Sequence, residues 1–147
     1  MSRSKRLQPV QRITEAREKD AAKELGECQQ QLLQQQQQLS ELENYREEYR
    51  RHYQQSGNAG FSAQKLIQLQ QFIANIGQGI EQQRQAIMNT EMLCQEKKQL
   101  WNHARGRTQA LDKVAERYLD DERQQENRRE QKDNDEYAQQ RARRPRK

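Results

Sequence analysis

The apolar positions in the second half of the chain recur at alternating intervals of four and three residues. This average spacing of 3.5 residues is the heptad pattern of an α-helix that winds around a partner helix. Most positions are apolar or small, and no proline lies between residues 10 and 144, so the pattern predicts one long helix with a seam on one side. The seam positions are Leu69, Ile73, Ile76, Ile80, Gln83, Ile87, Thr90, Cys94, Lys97, Trp101, Ala104, Thr108, Leu111, Ala115, Tyr118 and Glu122.

A second heptad seam runs through the first half of the chain and predicts the partner helix. Ahead of Leu25 the apolar residues, among them Val10 and Ile13, leave this register, which indicates a looser N-terminal section. Residues 1–8 are basic and lack apparent caps, so we expect a flexible start and a helix from Pro9, since proline is tolerated in a first helical turn. The positions of the second seam are Leu25, Cys28, Leu32, Gln35, Leu39, Leu42, Arg46, Tyr49 and Tyr53.

The segment from Ser56 to Gly60 is the clear break between the two helices. Its two glycines and its asparagine permit left-handed backbone. Ser62 is a candidate N-cap of the second helix, and Phe61 can pack on Leu66 as a hydrophobic staple. We predict a first helix over 9–55, a turn over 56–61 and a second helix over 62–140. Because the connection is short, the second helix must run back along the first.

The predicted fold is therefore all-α, a long antiparallel two-helix coiled coil with an overhanging C-terminal helix. With the turn centred near residue 58 or 59, facing residues have numbers that sum to about 118–122. Cys28 then lies near Thr90 and Cys94, as a layer of small buried side chains or, less favoured, as a disulfide. The pairing should end near residue 115. The charged helix beyond it should fray, and residues 141–147 should form a disordered basic tail.

Composition and charge narrow the classes of protein. The 147 residues are 33% charged, 31% hydrophobic and 5% aromatic, so the chain can bury a seam but not a sizeable core. Disorder is the rival interpretation of such a composition, and the heptads favour the coiled coil. The net charge of +5 is uneven, because residues 120–136 hold eight acids against four bases and residues 141–147 hold five bases without an acid.

The chain carries no motif of a catalytic, cofactor or metal site. It lacks a P-loop, HExxH, GxGxxG and CxxC, and its histidines and cysteines stand apart. We therefore expect a protein that is not an enzyme, and the unpaired cysteines favour a reduced, cytoplasmic setting. We expect neither a membrane span nor a secretory signal. The basic tail leaves open a nucleic-acid or anionic membrane-surface binder, and the heptads leave open a generic scaffold.

Two parallel stripes near the turn form a candidate interaction surface. On each helix the stripe steps by four, three and four residues, and Tyr45 and Phe72 fall beside the seam, where a two-helix protein has no third layer to cover them. Half-exposed aromatics on so polar a surface are candidates for partner contact, although they could also cover each other. The two stripes are Gln38, Leu42, Tyr45 and Tyr49, and Phe72, Ile76, Gly79 and Gln83.

Residues 38–49, Gln-Leu-Ser-Glu-Leu-Glu-Asn-Tyr-Arg-Glu-Glu-Tyr, carry a resemblance to a known family. This tyrosine pair before a glycine turn, with the basic start, the 28 glutamines and the longer charged second helix, resembles the FliJ family of the bacterial flagellar type III export apparatus. Related small stalk proteins of virulence secretion systems remain an alternative.

The resemblance implies a mechanical function without an active site or cofactor. FliJ proteins resemble the central stalk of rotary ATPases, so the chain would link the hexameric export ATPase to the cytoplasmic domain of the export gate and assist in recycling export chaperones. The two stripes match the positions that the family is thought to use for the gate. The basic start, with Arg12, Arg17 and Lys19, would enter the ATPase ring, unless these are simply solvated charges. The protein would lie in the cytoplasm, peripheral to the inner face of the cell membrane at the flagellar base, and serve motility and chemotaxis.

Overall fold

The computed structural model describes residues 2–58 and 60–143, with the backbone alone for Asn58, as two helices. Helix α1 spans Arg3–Asn58 and helix α2 spans Ala63–Arg143. The helices pack against each other and the described residues contain no strand, which confirms the predicted all-α hairpin. The chain divides into two compact units: Ala21–Trp101, here the turn-end unit, and Met1–Asp20 with Asn102–Lys147, here the open-end unit.

The seam of the turn-end unit is the one predicted from the heptads. Every predicted seam residue from Leu25 to Tyr53 and from Leu69 to Trp101 is buried or half-buried, and Ile80 is fully buried. Five of the contacts that join the two helices within this unit have residue numbers that fall within the predicted sum. They are Glu24–Lys97, Cys28–Thr90, Gln35–Gln83, Gln38–Gln83 and Tyr49–Phe72. The exposed ion pair between Glu43 and Arg84, at 3.4 Å, falls outside that sum.

The two cysteines share one layer of this seam. The buried Sγ of Cys28 donates to the carbonyl oxygen of Thr90 over 3.8 Å, and both thiols are free. Burial, followed by a hydrogen bond with Cys28, raises the pKa of the Cys94 thiol to about 11. Cys94 is therefore protonated at neutral pH, and both side chains act as small members of the seam.

A glycine cap ends α1 and a serine cap begins α2. Gly60 has a positive φ of 79°, and the Phe61 N–H donates to the Ser56 carbonyl oxygen over 3.5 Å, as in a Schellman motif. This closure lets α1 continue to Asn58 rather than end at residue 55. The Ser62 Oγ accepts from the Lys65 N–H over 3.3 Å, which confirms Ser62 as the N-cap.

Helix α1 begins at Arg3 rather than at Pro9, so residues 3–8 are not the flexible start that we expected. The Ser2 Oγ accepts from the Lys5 N–H over 3.3 Å, so Ser2 is an N-cap in a segment where we expected none. The Glu122 carboxylate of α2 accepts from the Ser4 N–H over 3.2 Å and from the Ser4 Oγ over 2.8 Å. Side chains from Ser2 and from α2 thus accept hydrogen bonds from the first N–H groups of α1, which would otherwise lack partners and let the helix end fray.

The heptad register of α1 does not slip in the open-end unit, and this expectation was wrong. The half-buried residues are Ser4, Leu7, Gln11, Thr14 and Glu18, at steps of three and four that lead on to Ala21 and Leu25. Val10 and Ile13, by contrast, are 44% and 53% exposed. Because most seam positions here are polar while two aliphatic residues lie outside the seam, hydrophobicity alone pointed to the wrong face.

The pairing also reaches further along α2 than residue 115. The Arg3 guanidinium lies 5.9 Å from the centre of the Tyr118 ring, and Glu122 binds Ser4. From residue 123 to residue 143 every side chain is exposed, and the backbone remains helical where we expected fraying and the start of a disordered tail. Residues 144–147 of the predicted tail lie outside the described residues.

Candidate interaction surface

The eight residues predicted for partner contact all lie in the turn-end unit. Leu42, Tyr49, Ile76 and Gln83 are half-buried seam residues, as expected from their heptad positions. Beside them, Tyr45 and Phe72 are 55% and 46% exposed. The sequence therefore located two large aromatic side chains that the hairpin itself leaves half uncovered.

Phe72 packs on Tyr49 across the seam. The ring centroids lie 4.7 Å apart at an interplanar angle of 69°, which is an edge-to-face arrangement. Phe72 immediately precedes the seam residue Ile73 of α2. The contact therefore shows that α2 residues in this position lie on the same side of the seam as the α1 residues near Tyr49. The alternative expectation was that Phe72 and Tyr45 cover each other. Phe72 instead has part of its cover from Tyr49 and still exposes 46% of its surface.

Hydrogen bonds join the two stripes at their other end. The Gln83 Nε2 donates to the Gln35 carbonyl oxygen over 2.9 Å and to the Gln38 Oε1 over 3.1 Å. The side-chain Oε1 of Gln35 is buried nearby without a hydrogen-bond partner among the described residues. Gln38 and Gln83 are thereby held in fixed positions at the rim of the surface.

Gly79 lies between these two contacts, and packing within the hairpin does not explain it. A Cβ added at Gly79 would meet no atom within 4 Å. A glycine inside a helix costs about 1 kcal/mol relative to alanine. The position is half-buried yet open, so it leaves a shallow gap on α2 between Phe72 and Ala86.

The apolar line on α2 extends beyond the predicted stripe. Starting from Phe72 and Gly79, the same heptad position is occupied by Ala86, Leu93 and Leu100, each one residue before a seam residue. Leu93 and Leu100 are 42% and 56% exposed. The seven-residue repeat that starts at Phe72 is the sequence signal that points to them.

The three basic residues predicted to contact the ATPase do not share one face. Arg12 and Lys19 each follow a seam residue, whereas Arg17 precedes one, so α1 presents them on opposite sides of the seam. All three are exposed and form no ion pair among the described residues. Arg17 instead lies on the side of the exposed Val10, seven residues before it.

Two kinds of site are not found among the described residues. They hold no group of three or more His, Cys, Asp or Glu side chains placed to bind a metal ion. In residues 2–58 and 60–143 neither helix has a stretch apolar enough to cross a membrane. What the structure presents is surface, namely exposed aromatic and aliphatic side chains along a polar hairpin.

Comparison with known proteins places this hairpin in a family. The family model described as "Flagellar FliJ protein" matches residues 3–147. The chain belongs to the FliJ family. It is 32% identical to the flagellar FliJ protein of Escherichia coli (strain K12) and 30% identical to that of Salmonella typhi, in each case over 133 residues and 90% of both chains. No solved structure matches the chain. FliJ membership makes it a component of the flagellar export apparatus.

Proposed function

We propose that this FliJ-family chain is a stalk and adaptor that links the hexameric export ATPase to the cytoplasmic domain of the export gate. The observation that carries the proposal is the pair of half-exposed aromatic side chains, Tyr45 and Phe72, on one side of the turn-end unit. In this role the chain also assists in recycling export chaperones, and ATP hydrolysis takes place on its partner.

The aromatic surface has the composition of a protein-binding site. Only 5% of the chain is aromatic, yet Tyr45 and Phe72 stay near half exposure beside the seam, where the two helices have no third layer to cover them. Aromatic residues dominate the energy of protein interfaces because they bury large areas at little cost in side-chain entropy. The fixed glutamines Gln38 and Gln83 would supply the polar rim of the gate contact.

The basic start of α1 supports contact with an acidic partner such as the entrance of the ATPase ring. Arg12, Arg17 and Lys19 are exposed and have no ion-pair partner among the described residues. Charges that are unpaired within the hairpin can steer a partner of opposite sign. We place the assembled protein in the cytoplasm, peripheral to the inner face of the membrane at the flagellar base.

The gate contact is tested by alanine at Tyr45 and Phe72. We expect Tyr45→Ala/Phe72→Ala to weaken binding of the gate's cytoplasmic domain at least tenfold and to impair motility. The cost in stability should be about 1 kcal/mol, mainly from the lost edge-to-face pair with Tyr49. Ile67→Ala is the matched control, because Ile67 is 56% exposed in the same unit but away from this surface.

A purely structural role of the rings has a different signature. Gly26→Ala should restore about 1 kcal/mol, because a Cβ at Gly26 meets no atom within 4 Å. If the gate bound the restabilised triple variant as well as the wild type, the rings would only hold the helices together and the proposed contact would be excluded.

The ATPase contact is tested by charge reversal. We expect Arg12→Glu/Arg17→Glu/Lys19→Glu to abolish stimulation of the export ATPase while the helix content by circular dichroism stays unchanged. The same reversal at Arg123, Arg128 and Lys132, which are equally exposed, controls for net charge. Undiminished stimulation by the first variant would exclude this end of α1 from the contact.

A further inference from the structure

The line of apolar residues on α2 is wider than a two-helix protein needs. Here Ala86, Leu93 and Leu100 are called the Leu93 stripe, and they precede the seam residues Ile87, Cys94 and Trp101 by one position each. A strict two-helix seam uses two apolar positions per heptad, whereas a third apolar position widens the stripe to a face that contacts more than one neighbour. Leu93 and Leu100 remain 42% and 56% exposed, so α1 does not fill that face.

The α1 residues on this side of the seam are polar and cannot cover the stripe. Glu24 and Gln31 occupy the corresponding heptad position of α1, and both are exposed. The carboxylate of Glu24 reaches Lys97 at 3.1 Å, at the seam itself. The stripe is therefore bordered on one side by polar side chains of α1 and on the other by solvent.

The charge around the Leu93 stripe is negative. Glu27 on α1 and Glu96 on α2 each precede a seam residue, which places both on the side of the stripe. Both are exposed and neither forms an ion pair among the described residues. Lys97, at this border, is bound to Glu24. An anionic membrane or a nucleic acid would be repelled, and a cationic partner would be attracted.

We infer that the Leu93 stripe binds a third helix from a partner protein, an amphipathic helix with a heptad line of aliphatic residues flanked by Lys and Arg. The aliphatic line would pack beside Leu93 and Leu100, and the flanking bases would meet Glu27 and Glu96. From Ala86 to Leu100 the contact spans about 21 Å at 1.5 Å per residue, which is four helical turns. So short an interface suits a transient contact. The inference is independent of the gate contact, because it uses neither Tyr45 nor Phe72.

The test measures binding of a defined helical probe to the full-length chain by fluorescence anisotropy. The probe is a 21-residue peptide with leucine at the first and fourth position of each heptad and lysine at the flanking positions. A second peptide carries glutamate in place of lysine. We expect saturable binding of the lysine peptide and at least tenfold weaker binding of the glutamate peptide.

Substitutions then locate the site. Leu93→Gln/Leu100→Gln keeps the charge and the helix propensity of α2. It should weaken binding of the lysine peptide at least tenfold. Met88→Gln/Met92→Gln is the matched control, because Met88 and Met92 are 56% and 67% exposed on the same helix but off the stripe. It should change affinity less than twofold. Glu27→Gln/Glu96→Gln should weaken binding several-fold, whereas Glu91→Gln, on the other side of the seam, should not.

Three results would overturn the inference. The first is absence of binding by the lysine peptide. The second is an equal loss of affinity for the lysine peptide in the leucine and methionine variants, which would show a non-specific contact. The third is a concentration-dependent dimer, seen by sedimentation, that Leu93→Gln/Leu100→Gln dissolves, because the occupant would then be a second copy of this chain.

Discussion

At the scale of single residues, the two seam glutamines Gln35 and Gln83 differ in whether their side chains form hydrogen bonds across the seam. Gln83 donates to the main-chain oxygen of Gln35 and so fixes one layer of the hairpin. Polar residues at seam positions specify register at a cost in stability, because alternative pairings leave them unsatisfied. The side chain of Gln35 itself contributes no such bond, since its Oε1 is buried without a partner among the described residues.

Gln35→Leu should therefore stabilise the protein. The substitution removes an unsatisfied buried oxygen and adds an apolar side chain to the seam, while Gln83 keeps its bond to the main chain at residue 35. We expect the free energy of unfolding to rise by about 1 kcal/mol, measured as a shift of the urea midpoint. Gln36→Leu, at an exposed neighbouring position, should give no such rise. A loss of stability in Gln35→Leu would show that the Oε1 is satisfied after all.

At the scale of helices, the start of α1 depends on a cap from the other helix. Its first turn contains no acidic residue to complement the helix dipole. The Glu122 carboxylate supplies that charge from α2 and accepts two hydrogen bonds from Ser4. These bonds hold the pKa of Glu122 below its usual value of 4.5, because they favour the ionised form.

This cap should be sensitive to acid. Because the pKa of Glu122 is lower in the folded state, its contribution is present above the unfolded value of 4.5 and is lost as the pH falls through the folded pKa. Hydrogen exchange of the first amides of α1, corrected for intrinsic rates, should therefore lose protection on acidification. Glu122→Gln should lack most of this change, whereas Glu126→Gln should retain it. Equal pH dependence in all three proteins would assign it to other carboxylates.

The heptad pattern predicted the helices wherever the seam is apolar. From Leu25 onward each seam residue was placed correctly, because burial of an apolar side chain is what the pattern encodes. Near the N-terminus the seam carries Gln11, Thr14 and Glu18, so the apolar pattern did not reveal the register there. The Ser4–Glu122 contact joins residues 118 positions apart. Sequence rules for helix caps consider only neighbouring residues, so they do not predict such a partner.

The candidate surface was predictable for a related reason. Tyr45 and Phe72 stood out because large aromatics beside a two-helix seam have nothing to cover them. Leu93 and Leu100 are similarly exposed, but a leucine on a helix is common in both buried and exposed positions, so the sequence alone does not single these two out. Which protein occupies either surface depends on the partner's shape and charge, and the chain's own sequence does not contain that information.

At the scale of the whole molecule, stability is spread thinly along the hairpin. The buried hydrophobic residues among those described are few, namely Cys28, Ile80, Ile87 and Ala115. Of the other seam residues, Thr90 and Thr108 are buried and the rest are half-buried. Such a hairpin has no central core, so segments can open without disrupting distant layers. The same heptads would also suit a parallel dimer of two chains, in which each seam meets its own copy rather than the other half of the chain.

The cysteine layer distinguishes the hairpin from that dimer. Within one chain Cys28 lies against Thr90 and hydrogen-bonds with Cys94, although the residues are distant in sequence. A short bis-maleimide should join them inside one chain, slowly, because burial keeps the Cys94 thiol protonated at neutral pH. Cys94→Ala should abolish the product, and a mixture of tagged and untagged chains should give no cross-linked pair. Products formed only between chains would require a parallel dimer, whose identical seams bring Cys28 against Cys28 instead.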